Sequence, residues 1–100
     1  MFRALVVYAH PEDPEAFLRH YREVHAPLAR AMPGLRSFTW GRCVDPAGGR
    51  PEAFVVATLE WPDRDTGLAS LASPEGEQGT ADLANFAGAG VSVHLVESEE

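Results

Sequence analysis

Two stretches of this chain, FRALVVYA (Phe2–Ala9) and FVVATLEW (Phe54–Trp61), are rich in β-formers and apolar on both of their alternating residue sets. Successive side chains in a strand point to opposite faces, so strands of this kind need cover on both sides. A chain of 100 residues has few ways to supply it. Helices can take one face of a sheet, and a second copy of the molecule can take the other.

The segments between the strands fit that scheme. HPEDPEAF ends the first strand and starts a helix at Pro14, with Asp13 placed to accept from the first free amides. Phe17, Tyr21, Val24, Leu28 and Met32 then recur at spacings of four and three, with Arg19, Arg22, Glu23 and Arg30 on the opposite side. Leu18, His25 and Ala29 form a shoulder of the stripe. Pro33 and Gly34 close the helix, Gly34 being free to take a left-handed conformation. LRSFTWGRCV is a second strand, joined to FVVATLEW by the polar loop DPAGGRPEA as an antiparallel hairpin. Two helical pieces follow, the second capped by Ser73 with Pro74 at its first position and weakened by Gly76 and Gly79. VSVHLVE is the last strand, with Val91, Val93 and Leu95 on one side and His94 and Val96 on the other. The order β-α-β-β-α-β predicts an α+β, ferredoxin-like split β-α-β domain over residues 1–100: a four-stranded antiparallel sheet with two helices on one face. The uncovered apolar face predicts a face-to-face homodimer.

Charge and motifs narrow the function. The net charge is −7 and the eight cations, all arginine, are scattered, so there is no patch to neutralise phosphates and no nucleic-acid partner is expected. No apolar run reaches the length of a bilayer span or of a secretory signal, so no membrane partner is expected. Cys43 is the only cysteine, in keeping with a reducing cytoplasm. The serine-hydrolase elbow, the P-loop and the dinucleotide glycine motif are absent, and the histidines lack zinc-site spacing, so neither a cofactor nor a metal site is expected. His20 and His25, five apart, suit one helix face poorly.

Several spaced motifs carry a resemblance. Y-x-x-P-x-D-P-E-A-F-x-x-x-Y-x-x-x-H-x-P-L from Tyr8 to Leu28, P-G-L-R at Pro33, S-P-E-G at Ser73 and D-L-x-N-F-A at Asp82 together resemble the EthD-type family, named for a protein associated with bacterial degradation of ethyl tert-butyl ether. The resemblance implies a dimeric α+β barrel and a small ligand between sheet and helices. Relatives by fold include cofactor-independent monooxygenases, isomerases and haem-degrading enzymes. Carried over by position, the prominent residues are Tyr8, Phe17, Tyr21, His25, Pro27, Leu28, Asp82, Asn85 and Phe86. The hairpin GRCVDPAGGRPEAF departs from the pattern in lacking a polar signature.

Tyr21 and His25, four apart, share one helix face, and a phenol beside an imidazole is a workable proton-handling pair. A structural reading stands beside it, with His25 half-buried on a backbone carbonyl and Tyr21 merely packing. Pro27 sharpens the choice, because an interior proline costs roughly 3 kcal/mol. Either it bends the helix past His25 and opens a pocket beside Tyr21, or the helix restarts at Ala26 or Pro27. Asp82 and Asn85, three apart near a helix end, read as capping residues. The sequence thus predicts a cytoplasmic homodimer binding a small apolar or aromatic metabolite in catabolism. In that reading Tyr21 and His25 are catalytic in a cofactor-independent oxygenation or isomerisation, and Tyr8, Phe17, Leu28, Asn85 and Phe86 line the ligand. A non-catalytic binding or accessory protein on the same barrel is the alternative, and haem binding a third.

Overall fold

The computed structural model describes residues 1–100. Its elements are β1 (Phe2–Tyr8), α1 (Pro14–His20), a π turn (Tyr21–His25), α2 (Ala26–Arg30), β2 (Ser37–Arg42), β3 (Val55–Trp61), α3 (Arg64–Ala72), α4 (Pro74–Phe86) and β4 (Val91–Glu97). The strands form one sheet in the order β2-β3-β1-β4, antiparallel throughout. The expected α+β fold is therefore present, with α1, the π turn and α2 acting as one long helical unit.

Local chemistry fixes the ends. Asp13 accepts from the Ala16 amide at 3.1 Å and Ser73 from the Gly76 amide at 3.1 Å, each with proline next in the chain. Gly34 turns the chain with φ of 72°. The strands split by face as the alternation requires. Phe2, Ala4, Val6 and Tyr8 of β1 and Val55, Ala57, Leu59 and Trp61 of β3 are buried under the helices. Leu5, Val7 and Val56 lie half-buried on the other face, which no helix covers. The edge strand β4 is exposed along its whole length. His94 pairs with Leu5 and so stands on the helix-free face.

The first helix departs from expectation in the middle. At the end of the π turn the Ala26 amide bonds back to the Tyr21 carbonyl, five residues away instead of four. The extra residue shifts the phase of everything after Tyr21. Val24, expected on the core stripe, is 41% exposed, and the inner face continues through His25, Ala26 and Ala29 to Met32. His25 is therefore on the buried face, not the shoulder, and Leu28 is only half-buried. Pro27 follows a widened turn, not a simple bend. The α pattern restarts at Ala26, and Pro27 is its second residue, where a missing amide hydrogen costs least.

Candidate functional site

The phase shift brings two histidines onto one carboxylate. His25 Nδ1 lies 2.9 Å from Asp82 Oδ2, and His20 Nε2 lies 2.9 and 3.0 Å from the two oxygens of the same group. Asn85 Nδ2 donates to Oδ1 at 3.0 Å. Five-residue spacing puts His20 and His25 on opposite flanks of an α-helix, but a π turn aligns them. The expectation that they suit one face poorly is thereby corrected. So is the capping reading of Asp82, which is buried at 7% exposure on the inner side of α4 and holds residues of the first helix in place. Asn85 serves that carboxylate.

The tautomers follow from the bonding. An ionised carboxylate only accepts, so His25 donates from Nδ1 and carries its lone pair on Nε2. Nε2 meets the Tyr8 hydroxyl at 3.4 Å. Burial pulls the His25 pKa below the ordinary histidine value, against the opposing pull of Asp82, so the ring is neutral near pH 7. Burial acts to raise the Asp82 pKa, but hydrogen bonds from Asn85, His20 and His25 together hold it below the usual carboxylate value. The result is a neutral imidazole with its basic nitrogen set by a buried anion.

Tyr21 stands beside this pair. Its ring centroid lies 5.0 Å from that of His25, 4.4 Å from that of Trp40 and, edge-on, 5.5 Å from that of Tyr8. The residue is 0% exposed, and its hydroxyl has no well-aligned hydrogen bond, its one polar neighbour being the Tyr8 phenol. Burial, then the adjacent Tyr8 phenol, push its pKa far above the ordinary tyrosine range, so it stays a donor. Tyr8 is pushed up to about 12, chiefly by burial. A poorly paired buried hydroxyl forfeits part of the roughly 1–3 kcal/mol that a wholly lost bond costs. It invites a ligand atom.

Space for one is present. An apolar cavity of about 140 Å³ lies between sheet and helices, with Ala4, Val6 and Ala57 below and Tyr21, His25 and Ala29 above. The other expected ligand residues fall elsewhere. Tyr8 does not line the cavity, its hydroxyl meeting His25 Nε2, and Phe17, Asn85 and Phe86 line an open groove of about 840 Å³ on the outer side, which His20 also reaches. Leu28 lines neither space. His20 is what sequence reasoning missed, while Asp82, prominent by resemblance, was given the wrong partners. The one signal was a five-residue histidine spacing just ahead of a proline.

A family model described as the EthD domain matches residues 9–90. The chain belongs to the EthD family. It is 38% identical over 99 residues to an uncharacterized 11.0 kDa protein of the thcB-thcC intergenic region of Rhodococcus erythropolis, covering 99% of this chain and 96% of that protein. It is 30% identical to an EthD family protein of Bacillus halodurans whose structure superposes with a TM-score of 0.91, covering 98% of each chain. More distant structures share the fold of this EthD protein. SnoaB, a cofactor-independent oxygenase from Streptomyces nogalater, is 19% identical with a TM-score of 0.66 over 99% of this chain and 92% of its own. A dimeric ferredoxin-like protein from Jannaschia is 17% identical with a TM-score of 0.69 over 98% of this chain and 100% of its own.

Proposed function

We propose that this EthD protein binds a small apolar or aromatic metabolite in the cavity and moves a proton on it, with His25 as base and Tyr21 as hydrogen-bond donor. The observation that carries this reading is a poorly paired buried phenol, Tyr21, beside an imidazole that Asp82 holds in one tautomer, both side chains lining one apolar cavity. A cavity near 150 Å³ accommodates a benzene-sized molecule. A carbonyl or phenolic oxygen of such a ligand accepts from Tyr21, while His25 Nε2, giving up its long contact with the Tyr8 hydroxyl, takes a proton from an adjacent acidic C–H or O–H. Negative charge then develops on the oxygen that Tyr21 holds, against a mostly apolar lining. The electron-rich anion either regains a proton at a second carbon, which is isomerisation, or reacts directly with dioxygen. The second outcome is the kind of chemistry named for SnoaB. The imidazolium that forms on His25 is stabilised by the Asp82 carboxylate, 2.9 Å from Nδ1.

The test needs no product assignment. Small enolisable aryl ketones and phenols incubated with the protein in D2O should exchange their acidic C–H hydrogens, read by NMR. His25→Gln should slow exchange about 10²–10⁴-fold. Tyr21→Phe should slow it as well with little change in stability to urea, because the hydroxyl it deletes is buried and poorly paired. Ligand binding without exchange would establish the accessory reading instead.

The same protein is proposed to be a homodimer, the state named for the ferredoxin-like protein from Jannaschia, and its own helix-free sheet face is the proposed interface. Leu5, Val7 and Val56 are the apolar centre of that face, and Val96, 37% exposed, extends it on β4. Val56→Arg should convert a sedimenting dimer to monomer at micromolar concentration; a dimer unchanged by it would place the interface elsewhere.

A further inference from the structure

Two glycines of α4, Gly76 and Gly79, are both buried and both on the cavity wall, yet their surroundings are opposite. A Cβ on Gly76 would lie within 2.4 Å of the Ser70 and Leu71 carbonyl oxygens, so that glycine lets α4 cross close over the end of α3. A Cβ on Gly79 would meet nothing within 4 Å. The second position is therefore not glycine for want of room.

Local structure gives no other reason for it. Gly79 sits in the interior of a helix, where glycine is the poorest former after proline, and it shows no left-handed backbone angle. The space its missing side chain leaves belongs to the cavity, and Thr80 and Leu83 continue the same wall at helical spacing. Tyr21 and the small side chain of Ala29 line the same cavity from the first helix.

We propose that Gly79 sets the size of molecule the cavity accepts, its absent side chain being part of the ligand's own volume. The inference rests on the small-molecule reading of the cavity and adds the residue that limits it. A larger side chain here takes methyl-sized space from the cavity itself, so it penalises longer ligands more than short ones.

The experiment compares phenol and 4-ethylphenol as probes, by calorimetry, on the wild-type protein and on Gly79→Ala and Gly79→Val. Gly79→Ala should raise Tm by about 4 °C, as expected for replacing an interior helical glycine, while weakening 4-ethylphenol binding. Gly79→Val should weaken 4-ethylphenol at least ten-fold more than phenol, with an unchanged circular dichroism spectrum. Equal loss for both probes, or no loss for either, overturns the size-setting role while the cavity reading stands. A wild-type protein that binds neither phenol overturns both. A fall in Tm for Gly79→Ala would show that the glycine is structural after all and also defeats the proposal.

Discussion

Asp82→Ala is expected to destabilise the folded protein by about 3 kcal/mol, read as a fall in the urea midpoint. The carboxylate accepts from three donors, on His20, His25 and Asn85, and each bond joins elements distant in sequence or spans a turn of α4. The His25 and Asp82 side chains are 9% and 6% exposed, so the orphaned His25 N–H has no water to turn to, whereas His20, at 27%, regains some. A buried donor left alone costs about 1–3 kcal/mol, and hydrogen bonds to a charged acceptor lie at the stronger end. Against a total of 5–15 kcal/mol for a domain of this kind, that is a large fraction. Asp82→Asn separates stability from chemistry. The amide preserves the shape and still offers one acceptor, so it should cost less in the urea midpoint. Yet its NH₂ can donate toward His25 and turn the ring to the wrong tautomer, and proton exchange on a bound ketone should fall about 10³-fold or more. A variant that exchanges at the wild-type rate would show that Asp82 only fastens α4 to the first helix.

The second large effect is on pH. The His25 imidazole takes up a proton near pH 6.5 in the unfolded chain, whereas burial holds the folded ring neutral to lower pH. Between those two values the unfolded state binds more protons, so stability falls as the solution is acidified. Asp82 acts in the same direction further down. Its folded pKa lies below the unfolded 3.8, so its contribution is complete above that value and is lost as pH falls through the lower one. Tm should therefore be flat from pH 8 to about 7, decline from about pH 6.5 downward, and fall again below pH 4. His25→Gln, which cannot titrate, should remove the first decline and leave the second. A decline near pH 6 that persists in His25→Gln would assign it to another histidine.

Much of the fold could be read from residue order alone. The strand cores at Leu5–Val7 and Val55–Leu59, the caps at Asp13 and Ser73, and the turn at Gly34 all act over a few residues, where periodicity and backbone preference decide. Tyr21 and His25 were recognisable as neighbours because four-residue spacing aligns them in an α-helix, and they remain neighbours here, 5.0 Å apart between ring centres. Val24 was misplaced for the same reason that His20 was overlooked. Both inferences assume four-residue bonding throughout, and one widened turn rotates every later side chain.

Asp82 was misread on different grounds. An aspartate three residues before an asparagine near a helix end has a sufficient local explanation, and only the packing of α4 against the first helix shows that its partners lie 57 and 62 residues away. The empty volume beside Gly79 is likewise invisible in a string of letters, which records that a side chain is missing but not whether a neighbour fills its place. Hydrophobic alternation and capping thus determined the layers and their order, because those forces act between residues close in sequence. The tautomer of His25, the poorly paired Tyr21 hydroxyl and the cavity that both side chains line were decided by tertiary contact, because burial, dielectric and vacant space are properties of surroundings that several distant segments build together.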